Sequence, residues 1–158
     1  MKHDRQPRPI LPVSLLVEGR PCLVVGGGRI AARKVGHLLA AAAGVTVVGP
    51  QACDRLLELA AEGRIRYVSR DFEPSDVQDK SLVFAATDSE TVNRRVLECG
   101  REAGALCSAI DSNWPDGDFV MPAVCRKRGL TVSVATGGRS CREARQVKDR
   151  IAELLEEP

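Results

Sequence analysis

The sequence predicts an α/β fold: a doubly wound parallel sheet followed by a small β-hairpin and a C-terminal helix. Short apolar runs alternate with helical stretches through residues 15–112, which is typical of strands joined by helices in a parallel sheet. A length of 158 residues suits one compact domain with a small appendage. Beyond residue 112 the alternation ends, and two short strand-like runs and one amphipathic helix follow.

The first strand is predicted at Pro21–Val25, a continuous apolar run of the kind that a buried parallel strand requires. Three glycines follow it, and then a helix whose apolar positions recur at helical spacing. We expect the buried stripe of this helix to contain Ile30, Ala31, Val35, Leu38, Leu39 and Ala42. We expect Gly44 to end the helix, and a second strand to cover residues 45–49.

The rest of the sheet region follows the same alternation. A second helix over 54–62 precedes a third strand at 65–69, and a fourth strand at 81–86 precedes a third helix over 89–103. The fifth strand is predicted at 106–110. In an open sheet of this kind, ligands bind beyond the carboxyl ends of the strands.

The C-terminal part contains a predicted hairpin about the basic turn Arg126–Gly129, followed by a helix that begins near Ser140. The apolar face of this helix would contain Ala144, Val147, Ile151, Leu154 and Leu155. One hairpin and one helix cannot close a hydrophobic core alone. This region therefore has to pack on the sheet domain or on another chain.

Composition disfavours several classes of protein. The apolar runs are far shorter than the ~20 residues that span a bilayer, and we expect no signal peptide. Aromatic residues make up 3% of the chain, which disfavours binding of single-stranded nucleic acid by base stacking. The six cysteines lack metal-site spacing, which favours reduced thiols over a metal or disulfide framework. We therefore expect a cytoplasmic protein without a resident metal or a membrane anchor.

The net charge of +2 is unevenly distributed along the chain. Basic residues are concentrated between positions 120 and 150. Such a region indicates an anionic partner, either nucleic acid or a small molecule with several carboxylates. Charge alone does not distinguish these two partners.

The segment Gly26-Gly27-Gly28-Arg29-Ile30-Ala31 fits the pattern G-x-G-x-x-A between the first strand and the first helix. Gly26 permits the tight turn, Gly28 lets a pyrophosphate approach the backbone, and the small Ala31 allows close helix–strand packing. The helix N-terminus offers unpaired N–H groups and its positive dipole end to the phosphates. In this context the motif predicts a Rossmann-type dinucleotide-binding domain.

The second strand does not decide between NAD and NADP. It ends in Val48-Gly49-Pro50-Gln51, without the acidic residue that would bind a ribose 2′-hydroxyl. Arg29 and Arg33 could pair with a phosphate or could be solvated residues of an exposed helix. Beyond the fourth strand, Thr87 could hydrogen-bond an adenosine, cap the next helix, or do both.

Four motifs resemble the siroheme-synthase N-terminal family in order and spacing. They are GGGRIAARKVGHLL, VFAATDSETVNRRV, CSAIDSNWPDGDFVMPAV and LTVSVATGGRSCREAR, and the resemblance covers about residues 10–157. Members of this family are precorrin-2 dehydrogenases, which often double as sirohydrochlorin ferrochelatases. The resemblance implies a homodimer that oxidises precorrin-2, a tetrapyrrole with many carboxylates, to sirohydrochlorin with NAD⁺. One departure is Cys141, which stands where the family usually has proline.

The resemblance also implies site residues. The positions that would line the NAD site are Arg29, Ile30, Gly49, Pro50 and Thr87, in addition to Gly26 and Gly28 of the glycine motif. Asp111 corresponds to the family's essential aspartate. Apart from the family, its place directly after the fifth strand would let it accept a proton, hold a pyrrole N–H or simply form a turn. The basic residues expected to meet substrate carboxylates are Arg126, Arg128, Arg139 and Arg142.

The predicted organisation is an NAD-binding domain over residues 1–113, a dimerisation region over 114–138 and the start of a helical region over 139–158. With precorrin-2 as the anionic partner, we expect no nucleic-acid partner. The alternative function is a non-catalytic NAD-sensing module, which would not need the segments DFVMPA and ATGGRS. Metal chelation could be an additional activity, and the product could serve siroheme or cobalamin synthesis.

Overall fold

The computed structural model describes residues 8–155, in two compact units. The larger unit, here the sheet domain, is Leu15–Phe119. The smaller unit, here the hairpin unit, combines residues 8–14 with residues 120–155. The sheet domain is thus continuous in sequence, whereas the hairpin unit is assembled from two distant segments of the chain.

The sheet domain contains five parallel strands in the order β3-β2-β1-β4-β5. These strands are β1 (Pro21–Val25), β2 (Gly44–Val48), β3 (Arg66–Val68), β4 (Leu82–Ala85) and β5 (Leu106–Ala109). The chain first adds strands on one side of β1 and then returns to place β4 on the other side. The carboxyl ends of β1 and β4 therefore form the topological switch point, which is where open α/β sheets bind ligands.

Three helices connect the strands: α1 (Arg29–Leu39), α2 (Asp54–Ala61) and α3 (Glu90–Glu102). Helix α1 packs on β1 and β2, α2 on β3, and α3 on β4 and β5. Leu23 and Val25 join the core cluster that includes Val96 and Leu97 of α3. Because side chains alternate along a strand, Val24 faces the opposite side of the sheet. The predicted Rossmann-type doubly wound fold is confirmed.

The predicted stripe of α1 is only partly correct. Ala31, Val35 and Leu38 are buried as expected, but Ile30 is 45% exposed. Ile30 lies in the first turn of the helix, next to the loops at the carboxyl edge of the sheet, where no strand covers it. The predicted helix end is also wrong, because α1 stops at Leu39 and Gly44 is the first residue of β2.

The cysteines are free thiols, and two of them lie in the core of the sheet domain. Burial, with a smaller contribution from the Asp118 carboxylate, raises the pKa of the Cys107 thiol to about 11. Burial also raises the pKa of Cys22. Both thiols therefore stay protonated at neutral pH and act as small apolar side chains.

Among residues 8–155, no group of three or more His, Cys, Asp or Glu side chains is arranged to hold a metal ion. None of the helices there has the length and apolar character needed to cross a membrane.

The hairpin unit contains an antiparallel pair, β6 (Ala123–Lys127) and β7 (Leu130–Val134), and helix α4 (Cys141–Leu154). Arg128 and Gly129 form the two-residue turn, and both have positive φ angles of 51° and 75°. Such a turn matches the twist of the two strands. Helix α4 packs on both strands.

Two hydrogen bonds order the ends of the hairpin unit. The Ser140 hydroxyl caps α4 by accepting the Glu143 N–H. The Arg8 N–H donates to the Gly137 carbonyl at 2.9 Å and ties the N-terminal segment to the loop before α4. The predicted apolar face of α4 is buried at Ala144, but Val147 and Leu154 are 40% and 67% exposed. The unit has too few elements to cover that face by itself.

Candidate active site

Two glycines of the motif are required by close packing of three loops. Gly26 has φ +118°, and a Cβ there would lie 2.3 Å from the carbonyl oxygen of Ala86. A Cβ on Gly27 would lie 1.8 Å from the carbonyl oxygen of Gln51. The loop after β1 therefore touches the loops after both β4 and β2. Sequence reasoning gave no role to Gly27, although the available signal was a glycine at a position where the pattern G-x-G-x-x-A accepts any residue.

Gly28 differs from its two neighbours, because a Cβ there would meet no protein atom within 4 Å. It is exposed and forms the N-cap of α1, with no side-chain cap and no acidic residue in the first turn. The first N–H groups of α1 thus point toward open space, and no N-cap side chain accepts a hydrogen bond from them. This arrangement fits a pyrophosphate, which needs close backbone approach and free N–H donors.

The end of β2 is fixed by side chains of the neighbouring strand. The Tyr67 hydroxyl donates to the Gly49 carbonyl at 2.8 Å, and the Ser69 hydroxyl donates to the Pro50 carbonyl at 3.3 Å. Gly49 is buried, whereas Pro50 is exposed at the edge. Both predicted NAD-site residues therefore lie on an anchored loop beside the glycine turn. Tyr67 is a functional candidate that the sequence pattern did not reveal.

Thr87 and Asp111 occupy equivalent positions on adjacent strands. Ala85 pairs with Ala109, and each of the two site residues lies two positions beyond its strand. The Thr87 hydroxyl donates to Asn93 Oδ1 at 2.8 Å and accepts the Ser89 N–H at 3.2 Å. Ser89 itself caps α3. The hydroxyl of Thr87 is thus used in ordering the start of α3, and its contact with an adenosine stays a prediction.

The Asp111 carboxylate is half-buried and is held by three N–H donors. Its Oδ2 accepts from Asn93 Nδ2 at 2.6 Å and from Asn113 Nδ2 at 3.2 Å. Its Oδ1 accepts only one of these bonds, from the Asn113 backbone N–H at 2.9 Å. A carboxylate oxygen can accept two hydrogen bonds, so Oδ1 keeps room for a further donor or a proton. This geometry goes beyond the simple turn that the sequence alone also allowed.

The predicted substrate arginines all lie in the hairpin unit and are exposed. Arg126 is in β6, Arg128 is in the turn, and Arg142 is in the first turn of α4. Arg139 precedes α4 and donates to both carboxylate oxygens of Glu143 at 2.9 Å. Their binding of substrate stays a prediction.

Comparison with known proteins agrees with this geometry. A protein-family model described as NAD(P)-binding matches residues 13–123, which include the glycine turn, Thr87 and Asp111. The chain belongs to this NAD(P)-binding family. The family match covers the whole set of loops that converge at the carboxyl edge of the sheet.

The chain is also similar to proteins named as siroheme synthases. The chain is 42% identical to the siroheme synthase of Methylococcus capsulatus over 89% of its own length, and 40% identical to that of Methylobacillus flagellatus over 92%. It spans only 30% and 31% of the length of these two relatives. The predicted resemblance to the siroheme-synthase N-terminal family is confirmed.

A solved structure also matches the chain. The structure of SirC, precorrin-2 dehydrogenase, superimposes with a TM-score of 0.80 at 28% identity. The match covers 94% of this chain and 72% of that protein. The similarity therefore extends over nearly all of the chain and includes the hairpin and the C-terminal helix.

Proposed function

We propose that this protein is a precorrin-2 dehydrogenase, which oxidises precorrin-2 to sirohydrochlorin with NAD⁺. The observation that carries the proposal is the Asp111 carboxylate, held by three N–H donors at the carboxyl edge of a dinucleotide-binding sheet. A sensor that only binds NAD has no evident need for an oriented carboxylate with an open lone pair at this position. The similarity to SirC, which is named as a precorrin-2 dehydrogenase, supports the same activity.

The oxidation removes one hydride and one proton from the substrate, so that both electrons leave with the hydride. When bound, the nicotinamide supplies the hydride acceptor. Asp111 Oδ1 is the atom that accepts the proton or holds a pyrrole N–H, because Oδ2 already accepts two protein hydrogen bonds. Asn113 keeps the carboxylate in place during this step through its backbone and side-chain N–H groups.

The cofactor that we propose is NAD⁺ rather than NADP⁺. Gly26, Gly28, Arg29 and Ile30 would hold the pyrophosphate at the start of α1, and Gly49 and Pro50 would line the ribose side. The loop at Gly49 and Pro50 offers carbonyl groups and apolar surface and no cation of its own to a 2′-phosphate. Arg29, in the first turn of α1, is used for the pyrophosphate in this proposal.

The exposed arginines of the hairpin unit would bind the carboxylates of the tetrapyrrole. Arg139 pairs with Glu143 on the surface, and exposed pairs of this kind contribute little free energy. A substrate carboxylate could therefore replace Glu143 as its partner. Guanidinium groups bind carboxylates through two parallel hydrogen bonds, which suits a substrate with many acidic side chains.

The test is an assay with purified protein, precorrin-2 and either NAD⁺ or NADP⁺, followed by the absorbance of the NADH or NADPH that forms. We expect oxidation with NAD⁺ and tighter binding of NAD⁺ than of NADP⁺. Binding of NAD⁺ without any turnover would support the sensing alternative instead. Adding Fe²⁺ to the sirohydrochlorin product then tests the additional ferrochelatase activity.

The free thiols support our proposal of a reducing, cytoplasmic location.

We further propose a homodimer assembled through residues 114–138. The two strands of the hairpin pair only with each other among the described residues, and apolar side chains such as Leu130 are 54% exposed. An isolated two-stranded hairpin is marginal in water, so a second copy could cover it. We expect sedimentation at micromolar concentration to give a dimer, and Leu130→Lys to shift it toward monomer. A wild-type protein that sediments as a stable monomer would contradict this.

A further inference from the structure

We propose that Asn93 is a positioning residue for the dehydrogenation: its amide fixes the position of the Asp111 carboxylate relative to the loop after β4. This inference rests on the proposed function. Asn93 lies in the first turns of α3 and is completely buried, although asparagine is a polar residue with modest helix propensity. Its side chain joins the two loops that leave adjacent strands at the edge where the dinucleotide is expected to bind.

The amide of Asn93 makes four hydrogen bonds, which is its full capacity. Oδ1 accepts the Thr87 backbone N–H at 3.0 Å and the Thr87 hydroxyl at 2.8 Å. Nδ2 donates to the Thr87 carbonyl at 2.9 Å and to Asp111 Oδ2 at 2.6 Å. The Asn93 amide thus bonds the backbone N–H, the backbone carbonyl and the hydroxyl of Thr87. Its one remaining N–H donates to Asp111.

These partners permit only one orientation of the amide. A backbone N–H can only donate and a backbone carbonyl can only accept, so the contacts with Thr87 decide which end of the Asn93 side chain is oxygen. With the oxygen fixed on that side, the amide must present an N–H to Asp111. The direction of the hydrogen bond to the carboxylate is therefore set by the backbone of the neighbouring strand, and not by the carboxylate itself.

Folding of the helix does not by itself account for this residue. Ser89 already caps α3 by accepting the Val92 N–H, and Val96 and Leu97 supply the buried contacts of the same helix. An unpaired amide at a buried position would be destabilising, so asparagine is tolerated here because every one of its groups is bonded. The bond to Asp111 is the one that reaches a side chain with an open lone pair, and this bond carries the functional argument.

The consequence for the reaction is a carboxylate whose free oxygen faces a fixed direction. Asn113 holds Asp111 from its own loop, two residues away, and its side chain also donates to the Glu90 carbonyl of α3 at 2.9 Å. Asn93 ties the same carboxylate to α3 and to the Thr87 loop, from a position 18 residues distant in sequence. A misplacement of about 1 Å at a reacting group can cost on the order of 100-fold in rate.

The test is a double-mutant cycle between Asn93→Ala and Asp111→Asn with NAD⁺ and precorrin-2. We expect Asn93→Ala to lower kcat by ~10- to 100-fold while KM for precorrin-2 changes by less than about threefold. In the Asp111→Asn background we expect Asn93→Ala to have almost no further effect, within about twofold, because it acts through that carboxylate. A residue with a merely structural role would lower activity by the same factor in both backgrounds.

Val96→Ala is the matched control, because Val96 is equally buried on the same helix and makes no polar contact in the site. It should lose thermal stability but retain kcat. If Asn93→Ala does not fold, Asn93→Ser serves in its place, since serine is a smaller polar residue and lacks the amide N–H that donates to Asp111 Oδ2. Wild-type kcat in the Asn93 variant, beside an inactive Asp111→Asn, would overturn the inference alone. An inactive wild-type protein, or a fully active Asp111→Asn, would overturn the proposed function as well.

Discussion

Asp111→Asn is expected to lower kcat for precorrin-2 oxidation by roughly two or more orders of magnitude, the scale of a positioned general base. The substitution keeps the size of the side chain and removes its charge and its basicity. We expect binding of NAD⁺ to change little, because Asp111 contacts Asn93 and Asn113 rather than the glycine turn. Stopped-flow measurement of NADH formation, with an independent titration of NAD⁺, separates these two effects.

The structure predicts a side effect of this variant that the sequence did not suggest. The Asp111 carboxylate accepts hydrogen bonds from three N–H donors, through both of its oxygens, so the NH₂ group of the new amide will face an N–H donor whichever way the amide is turned. A mismatch of this kind costs about 1–3 kcal/mol in free energy of unfolding when it is buried, and less at this half-exposed position. Asp116→Asn, an exposed change of the same kind nearby, is the control and should retain activity. Turnover of Asp111→Asn within a few-fold of wild type would show that Asp111 is only a turn residue.

Gly28→Val is expected to weaken NAD⁺ binding without loss of stability, whereas Gly27→Ala, at the neighbouring glycine, is expected to lower stability. Gly28 has φ −80° and ψ −177°, which a valine adopts readily, and its Cβ would enter open space. The variant should fold with nearly wild-type stability and bind NAD⁺ at least about 100-fold more weakly, because the side chain would occupy the place of the pyrophosphate. Gly27→Ala would push a methyl group against the backbone of Gln51. Overpacking of this kind costs about 1–3 kcal/mol or more.

Calorimetric titration of NAD⁺ and chemical denaturation of both variants provide the two measurements. Unchanged NAD⁺ affinity in Gly28→Val would remove the glycine turn from the proposed cofactor site. A Gly27→Ala protein as stable as wild type would mean that the loop after β2 can shift to accommodate the methyl group. Position 27 would then not require glycine.

The sheet was predictable because its signals are local. Strand β1 lies where predicted, at Pro21–Val25, since a continuous apolar run ends there at three glycines. The end of α1 was not predictable, because the alanines at 40–43 have high helix propensity. The chain nevertheless leaves the helix after Leu39, and Ala42 adopts a φ of +56° as the backbone turns toward β2. Tertiary packing overrides the local preference at this turn.

The candidate site likewise contains residues that the sequence could place and residues that it could not. The glycine turn and Asp111 follow strands directly, so their position at the carboxyl edge could be inferred from strand order. Asn93 and Tyr67 could not be found, because each is a single polar residue within a helix or a strand. Their partners lie 18 residues away along the chain, Asp111 for Asn93 and Gly49 for Tyr67. Only the folded register of the strands brings these pairs together.

The hydrogen bond between Arg8 and Gly137 has a consequence for the order of folding. The sheet domain is one uninterrupted segment, so all of its contacts are available before the ribosome has made α4. The hairpin unit needs the N-terminal segment and the last helix at once, and closing so long a loop carries the larger entropic cost. During synthesis the Arg8 N–H therefore cannot meet the Gly137 carbonyl until the sheet domain and the hairpin have been made. We expect completion of the hairpin unit to be the last step in folding of residues 8–155.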